Sequence, residues 1–274
     1  MAGTLYIVAT PIGHLDDMTF RAVRVLREAA VIACEDTRQT RKLLDHYGIA
    51  KPLVSYHEHN ERERSERLLA ELEAGRSVAL VSDAGTPLIA DPGYRLVSAA
   101  RERGIAVSPI PGPSALVAAL SACGLPTDHF VFGGFLPAKS GQRQKALEAH
   151  AEARATLVFY ETPHRILDAL ADIAAVFASR PVVLGREMTK IHEEFLTGSA
   201  AGLRENLAAR PAVKGEFVVI VGWAPPVASE DDPPLDEAVE VLVRDGIPRM
   251  EACKRVARER GMSKREVYGK LMRK

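Results

Sequence analysis

Two α/β domains followed by a small helical one are what the sequence predicts, and three observations predict them. Short apolar, β-branched runs alternate with amphipathic segments from Leu5 to Ile110. Each run stays apolar to its last residue, and a charged or Gly- and Pro-rich segment follows. A proline-rich acidic stretch, residues 224–234, then sets off a helical, basic tail. Strands alternating with helices specify a mainly parallel sheet covered on both faces. The residue distribution puts its working edge at the carboxyl ends of the strands.

In order, residues 5–9 read as the first strand and 17–30 as a helix, with Phe20, Val23, Leu26 and Ala30 on one face and Arg21, Arg24 and Glu28 on the other. Residues 31–34 form a second strand ending in Glu35-Asp-Thr-Arg38; a helix over 39–47 stops at Gly48. Residues 52–56 form a third strand, ending in His57-Glu-His-Asn60, and a long charged helix runs to Ala74. Strand four, 77–81, leads into Ser82-Asp-Ala-Gly-Thr-Pro-Leu-Ile-Ala-Asp-Pro-Gly93, a poor continuation of either strand or helix. It is an ordered loop before a helix at 94–103, and strand five follows at 105–110. Thr10-Pro-Ile-Gly13 and Pro109-Ile-Pro-Gly-Pro-Ser-Ala115 repeat the device, and three such loops from one sheet enclose a site.

Past a small-residue helix at 114–124 the texture changes. Runs at 130–135, 156–160, 182–186, 193–197 and 216–222 read as strands, with helices near 141–153, 163–177 and 200–209. Too little chain separates the runs between Arg186 and Gly198 for a helical crossover, so an antiparallel pair is expected there. The expected domains are 1–115, 116–224 and 235–274. From Gly246 onward the tail carries ten Lys or Arg against three Glu. Pro248, Gly261 and a Ser263–Glu266 capping box predict two short helices resembling a helix-turn-helix. Such clustered charge suits a nucleic-acid backbone, as it also suits a solvated tail or a docked dimer element.

The 274 residues carry 36 basic and 36 acidic side chains, so net charge selects no partner. Cys34, Cys123 and Cys253 lie far apart without C-x-x-C spacing, which predicts a reduced protein. The first strand begins at once, leaving no room for a signal peptide, and no apolar run approaches the ~20 residues that span a bilayer. A cytoplasmic location without membrane contact is expected. There is no G-x-G pair, P-loop, G-x-S-x-G elbow or H-E-x-x-H helix. His57-Glu-His59 puts two imidazoles on one face of an extended segment, but no third ligand is patterned with them. The expectation is no metal and two polar histidines at a pocket rim.

Pro11-Ile-Gly13, Glu35-Asp-Thr-Arg38, Ser82-Asp-Ala-Gly-Thr-Pro87, Pro111-Gly-Pro-Ser-Ala115, Gly134-Phe-Leu-Pro137, Tyr160-Glu-Thr-Pro-His-Arg165, Arg186-Glu-Met-Thr-Lys190 and Lys214-Gly-Glu216 share an order and a spacing. In these eight motifs the chain resembles the tetrapyrrole methylase superfamily, and within it the branch that methylates the ribose 2′-hydroxyl of a cytidine in 16S ribosomal RNA. His14 and Ala90 stand where Asn and Ser are usual. The resemblance implies S-adenosylmethionine in a cleft between two α/β domains of a homodimer, with 16S RNA or the small ribosomal subunit as partner. It carries over, as residues lining the cofactor, Pro11, Gly13, Asp83, Ala84, Gly85, Thr86, Ile89, Ser114, Ala115, Tyr160, Glu161, Lys214, Gly215 and Glu216. Asp83 is the acid placed to attract the cofactor's cationic groups, and Ser114 is also read as a helix cap.

Methyl transfer to a hydroxyl asks for alignment and for a base or a cation at the developing alkoxide. Arg186, Glu187 and Lys190, with His57, Glu161 and His164, hold the candidates. Glu187, Lys190 and His57 are the expected catalytic groups, although an interdomain ion-pair network reads equally well from the first two. Arg38, Arg41, Lys42, Lys139, Arg143, Lys145 and Arg165, with the tail, are expected to hold RNA. Two rival readings share these residues: a methylase of a corrinoid or porphyrin precursor, and a non-enzymatic ribosome-assembly factor. The basic tail disfavours the first and the intact loop 82–87 the second.

Overall fold

In the computed structural model, residues 2–223 and 233–259 are described, together with Val267, Gly269 and Leu271. Most of the proline-rich stretch and the Ser263–Glu266 capping box lie outside the described residues.

The first sheet has the order β3-β2-β4-β1-β5, parallel throughout. Its strands are β1 (Thr4–Val8), β2 (Val31–Cys34), β3 (Leu53–Ser55), β4 (Val78–Val81) and β5 (Ala106–Ile110). β2 and β4 are buried along their whole length, as strands covered on both faces must be. One face carries α1 (Phe20–Glu28) and α2 (Thr37–His46), whose Ala22, Leu26 and Leu44 meet Val8, Ile32 and Ala79. The other carries α3 (Glu61–Glu73) and α4 (Tyr94–Glu102), whose Leu68, Leu72 and Leu96 meet Leu5, Val78 and Leu80. Caps set the helix starts: Thr19 accepts from the Ala22 N–H at 3.1 Å and Asp36 from that of Arg38 at 2.8 Å.

The second sheet runs β6-β7-β10-β8-β9. β6 (Phe130–Phe135) pairs parallel with β7 (Thr156–Glu161), and every other pairing is antiparallel. The β8 (Val182–Arg186) and β9 (Glu194–Gly198) hairpin is the expected antiparallel pair. β10 (Phe217–Val221), last in the chain, inserts in the middle. Its Phe-Val-Val-Ile-Val run is buried at every residue, and only a central position covers both faces. α6 (Ser140–Glu148), α7 (Ile166–Val176) and α8 (Ala200–Ala208) lie in sequence within this half, and Leu147, Ile166, Leu170, Leu203 and Leu207 pack one face of the sheet. α5 (Ala115–Ala122) covers the other through Ala119 and Leu120, against Val158, Val183 and Ile220. The tail helices α9 (Leu235–Arg244) and α10 (Arg249–Glu259) close their own small core around Val239, Cys253 and Val256. All three cysteines are buried and unbridged. No helix among the described residues is long and apolar enough to cross a membrane.

Arg143 departs from its expected role on RNA. It is 3% exposed, and its Nε meets Asp172 Oδ2 at 2.6 Å, while Ser140 and Gln144 donate to Asp172 Oδ1 at 2.8 and 2.7 Å. The side chain pins α6 to α7. Arg165 likewise turns inward, donating to the Leu136 carbonyl and lying 3.5 Å from Glu161. Lys139 and Lys145 remain exposed. Replacing one member of a buried pair strands the other, so Arg143→Ala is expected to cost about 3–5 kcal/mol in denaturant unfolding. An unfolding midpoint like that of the wild type would show Asp172 satisfied without it.

Candidate functional site

After β1 the chain turns towards β2, and after the neighbouring β4 it leaves for β5 on the opposite side. The loops therefore part at the β1/β4 boundary and leave a crevice at the carboxyl edge. A two-way backbone pair fixes them there: the Thr10 N–H donates to the Gly85 carbonyl and the Gly85 N–H to the Thr10 carbonyl, both at 2.9 Å. Gly85 sits at φ +80°, a region open to glycine. Thr86 Oγ1 donates to the Pro113 carbonyl at 3.1 Å, tying in the loop after β5.

The second domain supplies the opposite wall. Gly13 comes so close that an added Cβ would lie 2.5 Å from Lys190 Cγ and 2.7 Å from Thr189 Oγ1, and the His14 N–H donates to that hydroxyl at 3.1 Å. Between the walls lies a cavity of about 270 Å³. The first domain lines it with Ile12, Asp83–Thr86, Ile89, Ala90 and Asp91, and the junction with Ser114 and Ala115. The second lines it with Phe135, Tyr160–Thr162, Gly185, Met188, Lys190 and Glu216–Val218.

The cavity is apolar in its walls and acidic in its charges. Burial pushes the Asp91 carboxyl up to about 6, and the charges of Glu35 and Asp83 push the same way. Burial also raises Glu161 and Tyr160. Glu161 Oε1 accepts the Thr162 N–H at 2.8 Å, whereas its Oε2 is buried and finds no partner among the described residues. The Tyr160 hydroxyl accepts the Leu116 N–H at 3.1 Å. The loop bearing Asp91 is strained, since Leu88 and Ala90 take φ values of +72° and +68°. Each such residue costs on the order of 1–3 kcal/mol and persists only where its surroundings dictate it.

Glu187 and Lys190 form an ion-pair network, as the sequence allowed, but it closes within the second domain and does not bridge the two. Lys190 Nζ lies 2.8 Å from Glu187 Oε1 and 2.9 Å from Glu216 Oε2, and Glu187 Oε1 also accepts the Glu216 N–H at 3.0 Å. Burial pulls Glu187 up, but the bonds from Lys190 and Glu216 outweigh it and leave the carboxyl lowered. Burial likewise pulls Lys190 down, and its two carboxylates more than reverse it. Lys190 is thus a fixed cation, and Glu187, its acceptor oxygen occupied, is a poor base. Positive φ at Glu187 (+49°) and Thr189 (+62°) shapes this loop.

A second, open cavity of about 510 Å³ adjoins the first through Asp83 and is lined by Glu35, Asp36, Thr37, Arg38, Ser55, His57 and His59. Asp83 Oδ1 accepts the Asp36 N–H at 3.0 Å, joining the loops after β2 and β4. The hydrogen bond from Arg38 holds Asp36 down to about 2. His57 Nε2 lies 3.1 Å from Asn60 Nδ2, and its Nδ1 is buried without a partner among the described residues.

Of the residues expected at the cofactor, Asp83, Ala84, Gly85, Thr86, Ile89, Ser114, Ala115, Tyr160, Glu161 and Glu216 line the first cavity. Pro11 is buried and does not line it, whereas Ile12 does. Gly13 and Gly215 work as close contacts against Lys190 and Glu187, and Lys214 points outward while its carbonyl accepts from Arg186 Nε at 2.6 Å. Ser114 occupies the cap position of α5 without making a cap bond and lines the cavity. His57 belongs to the second cavity and His164 is exposed. The sequence reading missed Asp91, Phe135, Met188, Phe217 and Val218. Asp91 had a signal, a carboxylate inside the Pro- and Gly-rich loop; Phe135 and Met188 stood inside two of the quoted motifs, and Phe217 and Val218 read as ordinary strand positions.

Residues 4–204 match the family model described as Tetrapyrrole (Corrin/Porphyrin) Methylases. The chain is similar to "Ribosomal RNA small subunit methyltransferase I" of Halalkalibacterium halodurans, with 51% identity across 97% of this chain and 93% of that one. It is similar to the Pseudomonas aeruginosa protein of the same name at 47% identity, across 100% of this chain and 98% of that one. Among solved structures, diphthine synthase shares the fold with a TM-score of 0.64 at 18% identity, covering 80% of this chain and 90% of that one. Uroporphyrin-III C-methyltransferase from Thermus thermophilus, complexed with S-adenyl homocysteine, does so at 0.56 and 21%, covering 80% and 97%.

The closeness of Gly13 to Lys190 makes a test of how the walls are joined. Gly13→Ala is expected to cost about 1–3 kcal/mol of overpacking. Hydrogen exchange at the Thr189 and Lys190 amides should quicken with it, and unchanged exchange would mean that the loop absorbs a methyl group without parting the domains.

Proposed function

The chain belongs to the tetrapyrrole (corrin/porphyrin) methylase family, and on that premise we propose that it transfers the methyl group of S-adenosylmethionine to the ribose 2′-hydroxyl of a cytidine in 16S ribosomal RNA. The observation that carries this reading is the extent of the likeness to methyltransferases named for small-subunit ribosomal RNA, which reaches 100% of this chain in one relative. The same reading makes the protein a homodimer acting on the RNA or on the small subunit.

The crevice suits such a cofactor. A sulfonium and an ammonium group seek carboxylates where water is scarce. Glu161, whose Oε2 is buried without a partner among the described residues, offers one such carboxylate, and Asp83, exposed at the mouth of the opposite wall, offers a second. Ile12, Ile89, Met188 and Val218 supply the apolar faces that a flat ring needs. When bound, S-adenosylmethionine supplies an electrophilic methyl group whose leaving sulfur is already activated.

The chain's own residues then have three tasks. The paired walls hold the reacting groups in line and exclude water. Lys190, cationic and anchored by Glu187 and Glu216, stabilises negative charge on the acceptor oxygen. Glu187 positions it. The second cavity receives the acceptor nucleoside, where Glu35, Ser55, His57 and His59 present groups that can read a splayed base. Arg38 stands at the start of α2 and lines this cavity, Arg41 and Lys42 follow it on the same helix, and all three are exposed and hold phosphates. Lys139 and Lys145 from the second domain, and Arg249, Lys254 and Arg255 from the tail, add exposed charge.

With labelled S-adenosylmethionine, label is expected in small ribosomal subunits, in the ribose of a cytidine after nuclease digestion. Label in a tetrapyrrole precursor alone, or in a base, would overturn the reading. Lys190→Ala is expected to lower kcat by about 10²–10³ while calorimetry shows donor affinity retained; lost affinity would move Lys190 to the donor site. Affinity for a 16S fragment should fall steeply between about 50 and 200 mM salt, and a flat response would remove the electrostatic role of the basic side chains.

A further inference from the structure

The geometry points to Asp91 as the base that takes the proton from the acceptor hydroxyl, an inference that rests on the hydroxyl-methylation reading above. Three observations converge on it. Asp91 lines the cavity between the two domains, half-buried, on the rim that also carries Asp83, the residue shared with the second cavity. A carboxylate there stands where an acceptor entering from one cavity meets a donor held in the other.

The loop that presents it is built against its own preference. Leu88 and Ala90 are both held at positive φ. Gly93, at φ +138°, is locked beyond them: an added Cβ would lie 2.9 Å from Leu80 and from Leu88, and its N–H donates to Glu61 Oε1 at 2.8 Å. Strain in two non-glycine residues, clamped at the far end, aims one side chain.

The charges around Asp91 suit proton abstraction. Glu35 and Asp83 face it from the loops after β2 and β4, the Ser82 hydroxyl stands near it, and Tyr160 faces it from β7. Glu161, Lys190 and Glu216 share the cavity wall. Burial and the two neighbouring carboxylates lift Asp91 to about 6, so it is ionised at neutral pH yet more basic than an ordinary aspartate. Glu187, the other carboxylate expected to serve, is lowered and hydrogen-bonded to Lys190. In the step, the hydroxyl O–H bond breaks and its proton passes to Asp91. The oxygen's electron pair forms the O–CH₃ bond, and the C–S pair of the sulfonium donor returns to sulfur as a neutral thioether.

The test uses the full-length chain and Asp91→Asn. Single-turnover methylation of small subunits is expected to fall by about 10²–10⁴, with S-adenosylhomocysteine affinity by calorimetry within about threefold. The wild-type rate should lose activity on an acid limb with its midpoint near 6, and the residual rate of Asp91→Asn should lack that limb. Carbon-13 NMR of labelled aspartate should show a carboxyl titrating near 6 that disappears in the variant, a readout independent of turnover. Because the raised group destabilises the folded state above its folded value, Asp91→Asn should melt no lower than wild type at pH 7.5, and that margin should shrink below pH 5. Asp91→Glu should recover part of the rate. Turnover and acid limb unchanged in Asp91→Asn would overturn the inference, and so would a tenfold loss of donor affinity with saturated turnover intact, which would make Asp91 a counter-charge to the donor. A wild-type chain that labels no ribose overturns the hydroxyl-methylation reading itself, whereas an active wild type with an undisturbed variant overturns this inference alone.

Discussion

Two hydrogen bonds between the backbones of Thr10 and Gly85 hold the site in existence. They join the loops after β1 and β4 at the place where the chain leaves the sheet in opposite directions, so a gap that topology makes unavoidable becomes a rigid floor. Ser82 and Thr10 reinforce it, the Thr10 hydroxyl donating to the Ser82 carbonyl at 3.1 Å. Loops that must stay irregular in order to face a ligand still need partners for their peptide groups, and here they partner one another.

The second domain is seated on that floor by close approach. Gly13 meets Lys190 and Thr189, while Ile12 joins Met188, Val218 and the α5 residues in one apolar cluster. The antiparallel sheet is what makes this possible. Its central strand β10 brings Glu216 and Phe217 beside the end of β8, so one turn of chain gathers Glu187, Lys190 and Glu216. Partly exposed ion pairs of this kind contribute little net stability. What the network supplies is a lysine with a single orientation and a fixed charge.

Charge is distributed with the same division of labour. Asp91 and Glu161 inside the cavity, both raised by burial, and the exposed Asp83 and Glu216 at its edge make its lining acidic. Outside, Arg38 at the second cavity and Arg41 and Lys42 further along α2 remain exposed. A chain with 36 acidic and 36 basic side chains is thus far from neutral where it matters.

Alternation of apolar runs and amphipathic segments determined the first sheet from sequence alone, because each parallel strand must be apolar on both faces and each loop must carry the polar residues the strand excludes. The short stretch of chain between two apolar runs located the β8–β9 hairpin, and the motif order pointed to the family. The loop 82–93 was legible as the centre of the site, since Gly and Pro in that density exclude regular structure. Pairing lay beyond those signals. That β10 enters the middle of its sheet, that Arg143 turns inward to Asp172, and that Ser114 lines a cavity without making a cap bond to α5 all depend on neighbours distant in sequence. The state of each ionisable group was decided there too. Glu187 and Asp91 are both carboxylates after a strand; Lys190, three residues on, and the distant Glu216 N–H lower one, while burial beside Glu35 and Asp83 raises the other, so their proton affinities move in opposite directions.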